Sequence, residues 1–322
     1  MNKIFDLKRY AAVAALGLMT VSCSDDDGNN DPDNSLLVEA QSRTNLTTFV
    51  EALERADLDG TLDGSTELTV FAPTNTAFVQ FMGENGYATL NDIPVEVLRE
   101  LLLNHTMTGS IETSEMVTGF RKTMAKGAAS NTNFLDMYMD ASSGYKINGT
   151  STIITPNVHA NNGILHLVDK VIAMPSIMTF VKAHGDLDTL ESALGLHADM
   201  GFVATLEADG ANAPYTLFAP TDEAFASYLT EIDLPGLNSI LYDDLSTTLQ
   251  YHVGTGANSL SSGFTNNQSF ETMSGQNFTI TLTGGGKKIT DVNSRVSNLV
   301  KTDIQAYNGV IHLVDKVLMP NL

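Results

Sequence analysis

The phrase Thr69-Val70-Phe71-Ala72-Pro73-Thr74-Asn75-Thr76-Ala77-Phe78 returns as Thr216-Leu217-Phe218-Ala219-Pro220-Thr221-Asp222-Glu223-Ala224-Phe225. A second phrase, Asn162-Gly163-Ile164-Leu165-His166-Leu167-Val168-Asp169-Lys170-Val171, returns as Asn308-Gly309-Val310-Ile311-His312-Leu313-Val314-Asp315-Lys316-Val317. The first pair is 147 residues apart at Phe71/Phe218 and the second 146 at His166/His312. So long a period excludes a solenoid and implies a duplicated domain. Each copy is long enough to bury its own core. We place copy one at 35–175 and copy two at 176–322.

Within each copy the pattern runs from helix to strand. Leu46, Phe49, Val50 and Leu53 form an amphipathic stripe that recurs 141 residues later, so copy two holds about six extra residues, expected in a loop within His197 to Pro214. Thr69 to Phe71 is a short strand stopped by Pro73, and Thr74 caps the helix that follows. Phe71 and Phe218 are the expected core anchors. Val95 to Met107 and Ile240 to Val253 read as helix running into strand, ending at His105 and His252. Asn162-Gly163 and Asn308-Gly309 carry the strongest hairpin signal in the chain, and the apolar runs after them suit central strands. Helices early and strands late give an α+β domain.

The front end reads as an address. Residues 1–22 combine Lys3, Lys8 and Arg9 with an apolar run from Tyr10 to Val21, an export signal too short for a permanent span. Thr20-Val21-Ser22-Cys23 resembles a bacterial lipobox, which makes Cys23, the only cysteine, the expected lipidation site. Residues 23–34 are acidic and almost without apolar side chains, a disordered tether by composition; their aspartate spacing does not match a calcium loop. An acidic run behind such a cysteine also resembles surface-export signals of Gram-negative lipoproteins. The expected address is the outer membrane, its outward face included, with membrane contact through the lipid alone.

Removal of residues 1–22 takes away three basic and one acidic residue, leaving 14 basic, 37 acidic and a net charge of −23. Such a chain is a poor binder of nucleic acid. With no other cysteine, a thiolate metal site, a cysteine nucleophile and a disulfide framework are all excluded from the two copies. His105 with His166, and His252 with His312, lack the short spacing of metal ligands and read as hydrogen-bonded core residues. Asp57-Leu58-Asp59-Gly60-Thr61 spells a phosphatase nucleophile signature, but it follows a helical stripe rather than a buried strand and has no counterpart in copy two.

Taken together, the Thr-Val-Phe-Ala-Pro-Thr phrase, the helix ending in histidine and the Asn-Gly-(Ile/Val)-(Leu/Ile)-His-Leu-Val-Asp phrase resemble the fasciclin-like domain, twice over, across residues 35–322. The resemblance implies a wedge-shaped β-sandwich with packed helices in each copy. It also implies a role in adhesion or extracellular binding, with no catalytic residues, cofactor or metal. The implied partner is a protein or a cell-surface or matrix ligand, a second copy of the chain included. A glycan-binding accessory lipoprotein is the alternative, weakened by the absence of tryptophan. Two family features differ between the copies. The Tyr-His pair is kept as Tyr251-His252 but is Asn104-His105 in copy one. The Asp-Ile pair, tied in animal members to receptor contact, is Asp303-Ile304 in copy two and Asn157-Val158 in copy one. Asp303 and Ile304 are therefore the candidate contact residues; the alternative is that Ile304 faces the core and Asp303 solvates a strand edge.

Overall fold

The computed structural model describes residues 34–142 and 144–322. The expected export signal, Cys23 and all of the tether but Asn34 lie outside the described residues. Copy one runs α1 (Leu36–Gln41), α2 (Thr47–Arg55), α3 (Asp59–Leu62), β1 (Leu68–Pro73), α4 (Asn75–Glu84), α5 (Val95–Asn104), β2 (Thr106–Thr108), β3 (Gly119–Gly127), β4 (Ser130–Asp140), β5 (Lys146–Ile147), β6 (Ser151–Ala160) and β7 (Gly163–Val168). Copy two repeats the plan as α6 (Ile177–Ala183), α7 (Asp188–Gly195), α8 (Phe202–Glu207), β8 (Tyr215–Pro220), α9 (Asp222–Glu231), α10 (Tyr242–Tyr251), β9 (Val253–Gly254), β10 (Gln268–Glu271), β11 (Asn277–Thr283), β12 (Gly286–Thr290), β13 (Val296–Ala306) and β14 (Gly309–Val314).

Thr74 and Thr221 do cap the helices behind the first phrase, their hydroxyls accepting from Ala77 and Ala224 N–H at 3.3 Å. The two phrases then meet. β1 runs parallel to β7 with Phe71 beside His166, and β8 parallel to β14 with Phe218 beside His312. These four strands are buried along their whole length, which explains their unbroken apolar runs. The sheets are ordered β2-β1-β7-β6-β5-β4-β3 and β10-β11-β12-β13-β14-β8-β9. Each curls until its ends approach: β3 packs on β2 and α5, and Met273 N–H reaches Val253 O at 2.7 Å. The result is a wedge with a core on each side of the central strands.

Alternation along β1 feeds both cores. Val70 and Ala72 face the helices with Phe49, Leu53, Phe78 and Leu101, while Phe71 faces Met107, Met137, Met139 and Ile147. In copy two the core below Phe218 is aromatic, with Phe278 and Phe270 edge-on at 5.0 and 5.1 Å.

Two sequence expectations change here. Ala160 pairs with Gly163 and Ala306 with Gly309. The turns are therefore Asn161-Asn162 and Tyr307-Asn308, and each glycine opens a strand instead of completing the turn. Glycine is required for a different reason: at φ 146° a Cβ on Gly163 would collide with the carbonyl of Leu68. The asparagine before it is a buried hub. Asn162 Nδ2 donates to Leu62 O and Gly64 O at 2.8 and 2.6 Å, and its Oδ1 accepts Leu36 N–H at 2.8 Å. Asn308 does the same with Leu206 O, Ala208 O and Ile177 N–H. One side chain thus fastens the first helices to the sheet.

The six extra residues of copy two are also not one loop. The matched hub partners put the offset at 144 for Leu62/Leu206, between 141 at Leu53/Leu194 and 147 at Leu68/Tyr215. Three residues precede the end of α8, which is longer than α3, and three extend the loop into β8.

The copies touch through a mixed interface. Phe120 and Tyr138 of copy one pack on Phe180 and His184 of copy two, with ring separations of 5.1–5.5 Å. Lys301 Nζ lies 5.1 Å above the Phe120 ring. Buried Asp136 accepts Gln305 N–H at 2.6 Å and Lys122 Nζ at 2.7 Å. Burial pushes its carboxyl above the usual range, with Lys122 pulling the other way. At the tip of the β3–β4 hairpin, Ala129 N–H donates to Tyr307 O at 2.9 Å. A Cβ on Gly127 would stand 2.7 Å from Tyr307 Cα, so only glycine permits this approach.

Candidate functional site

Asp303 lies in an irregular stretch of β13, where the register against β14 shifts twice between Leu299 and Ile304. Its φ of 64° is left-handed, a conformation aspartate and asparagine tolerate best among residues with a Cβ. Its N–H donates to His312 Nδ1 at 3.3 Å, and the ring's Nε2–H reaches Ser259 O at 2.9 Å. The carboxylate accepts the backbone N–H of Ser261 at 2.7 Å and also its hydroxyl, capping a single 3-10 turn at Ser261–Gly263. Burial pushes the Asp303 carboxyl up, but the Ser261 hydrogen bonds and His312 together outweigh it and hold the group below its ordinary range.

Asn157 occupies the same place in copy one, with φ 55°. Its N–H meets His166 Nδ1 at 3.2 Å, His166 Nε2 meets Ile111 O at 2.9 Å, and its Oδ1 accepts Thr113 N–H at 3.0 Å. Asp303 and Asn157, though different in sequence, therefore perform the same structural task.

Ile304 is not where a contact residue must be. It is 2% exposed, inside the core with Phe180, Tyr215 and Ile311. The apolar surface expected from it comes instead from Val300, 56% exposed on the same strand. Ile154, 146 residues earlier and likewise three residues before the bulge residue, is 51% exposed. Sequence reading passed over both, because a β-branched residue in a strand reads as core. Their matched position in the two copies was the available signal.

The remaining motif histidines are pins. His105 Nδ1 donates to Leu101 O at 2.7 Å and its Nε2 accepts Ile172 N–H at 2.8 Å; His252 bridges Thr248 O and Leu318 N–H at 2.8 and 2.9 Å. Burial lowers both to about 4, so both are neutral. Tyr251 Oη donates to Asn277 O at 2.9 Å, and burial pushes it up to about 12. Asn104, in its place, donates to Ile172 O and Ala173 O at 3.1 and 3.2 Å. Among the described residues, no three His, Cys, Asp or Glu side chains gather as metal ligands would, and no helix is long and apolar enough to cross a membrane.

Two sandwiches of this topology, each pinned by histidine and joined by one interface, define a tandem fasciclin architecture. The fasciclin domain model matches residues 44–175 and 188–320, and the chain belongs to that family. It is 29% identical to human periostin over 286 residues, 85% of this chain and 31% of periostin. It is 29% identical to pig transforming growth factor-beta-induced protein ig-h3 over 269 residues, 81% of this chain and 36% of that protein. A fasciclin-like arabinogalactan protein of the fungus Arthroderma benhamiae is 26% identical, over 81% of this chain and 60% of its own. The chain thus spans about a third of the length of the first two relatives. Among solved structures, the FAS1 domain pair of the insect cell adhesion molecule fasciclin I matches with a TM-score of 0.50 and 17% identity, over 85% of this chain and 96% of that one. That likeness concerns the fold.

Proposed function

We propose that this chain is a non-catalytic adhesion or extracellular-binding protein that presents a fasciclin pair at a bacterial surface. The observation that carries this reading is how the family motifs are used. Their histidines, asparagines and Tyr251 are all engaged in holding backbone segments together, which leaves the chemistry to the exposed surface. The insect adhesion molecule with the same domain-pair fold supports it. So does the export and lipidation signal read at residues 1–23; in this reading Cys23 ties the pair to the outer membrane.

The contact face we assign lies along β13, with Val300 as its apolar element and the part-exposed Asp303 carboxylate as its charge. Immobilised chain is tested against matrix proteins, whole cells and a glycan array. Retention of a protein ligand or of cells is expected, weakened about tenfold by Val300→Asp. Asp303→Asn removes the charge but keeps the bulge, as Asn157 does in copy one, and weakens binding without unfolding. Binding to glycans alone would overturn the reading in favour of a glycan-binding lipoprotein. Detergent partitioning checks the anchor: Cys23→Ser moves the chain to the aqueous phase.

A further inference from the structure

We propose that the groove where the two copies meet binds a peptide segment of a partner protein, one that sets an apolar side chain beside a lysine or arginine. The groove has a volume of about 420 Å³, within the range of sites that hold a small ligand or a few side chains. Its apolar wall is Val97 of α5, Ala128 at the β3–β4 hairpin tip, Met174 of the connection between copies and Tyr307 of copy two. Copy one and copy two both contribute, so the groove exists only in the docked pair.

Two observations single it out. Val97 is 47% exposed, on a helix face where an apolar residue does nothing for the core. The matching position of copy two, 147 residues on, holds Asp244. The fold therefore does not require a hydrophobe there, and copy one has one where the groove forms.

Charge at the rim selects the occupant. Glu96 and Glu100 lie one helical turn apart on the groove side of α5. Glu100 is held by Lys126 N–H at 2.7 Å, while Glu96 is exposed and makes no ion pair among the described residues. Lys126 also lines the groove, its ammonium standing 5.7 Å over the Phe134 ring. An apolar wall beside an unpaired carboxylate suits an aliphatic side chain followed by a cationic one, and the net charge of −21 favours the approach of a basic partner.

This assignment rests on the reading of the chain as a binding protein, but its test is separate from any adhesion assay. The ¹⁵N-labelled chain is titrated with N-acetyl-leucyl-lysine amide and, in parallel, with N-acetyl-leucyl-glutamate amide. The lysine peptide is expected to shift the amides of Ala128 and Asn131, with the glutamate peptide weaker by about fivefold or more. Val97→Asp, the residue type copy two carries at the matching position, removes the response. Val79→Asp, on the 65% exposed position of α4, leaves it intact. No shifts, equal shifts from both peptides, or shifts that survive Val97→Asp would overturn the proposal. Peptide binding without adhesion to any protein or cell would count against the β13 contact face and leave the groove standing.

Discussion

His105 and His252 show how a single buried ring can decide a region's behaviour. Each is neutral because one ring nitrogen donates to a carbonyl and the other accepts an N–H, and protonation would destroy the accepting site. Burial lowers their folded pKa to about 4 from an ordinary 6.5. Below pH 6.5 the unfolded chain takes up protons that the folded chain refuses. The stabilisation is therefore complete above pH 6.5 and is lost as pH falls toward 4, on the order of 3 kcal/mol for each ring. Urea midpoints are expected to drop steeply between pH 7 and 4.5. In the His105→Asn/His252→Asn double variant, that drop should shrink even though the variant starts less stable. An unchanged pH slope would contradict the assignment.

At the scale of elements, β1 and β8 carry the same phrase into two differently built cores. Phe71 stacks on His166 at 5.4 Å and otherwise meets methionine and aliphatic side chains, which adapt to a cavity. Phe218 stands among Phe264, Phe270 and Phe278 as well as His312, in aromatic contacts that contribute about 0.5–1.5 kcal/mol each. Replacement of either by alanine should destabilise its own copy by about 3–5 kcal/mol. Phe218→Ala is expected at the upper end, exceeding Phe71→Ala by about 1–2 kcal/mol. Denaturant titration of the two variants checks the order; equal losses would show that the aromatic contacts add nothing beyond burial.

For the whole molecule, the question is whether two copies make two cooperative units. Each has its own cores, but Tyr138 of copy one is part of the same apolar cluster as Phe180 and Ile304 of copy two. The Asp136 carboxylate, buried at the boundary, keeps Lys122 of its own copy but loses the Gln305 N–H if the copies separate. Calorimetry should therefore show one transition or two overlapping ones. Gly127→Val forces the hairpin tip off Tyr307, where a Cβ has no room against backbone. It should resolve the melt into two peaks while leaving Phe71 and Phe218 in place. Two well-separated peaks already present in the unaltered chain would show that the interface couples nothing.

Much of the fold follows from patterns local to the chain. Repeated phrases set the duplication, the apolar runs marked central strands, and Thr74 with Pro73 set the strand-to-helix corner, because these depend on local backbone preference and on a periodicity visible along the chain. What the motif residues do was not local. Asn162-Gly163 reads as a turn, yet Gly163 is needed for a strand from 95 residues earlier and Asn162 for helix ends about 100 residues away or more. Asp303-Ile304 reads either as a surface pair or as a core isoleucine beside an edge aspartate, and the two register shifts in β13 turn Ile304 inward and leave Val300 outside. Side-chain direction in a bulged strand follows the register of its neighbour, and a hydrogen-bond partner follows where the chain returns. Both are properties of the packed sheet, and only the tertiary structure could decide them.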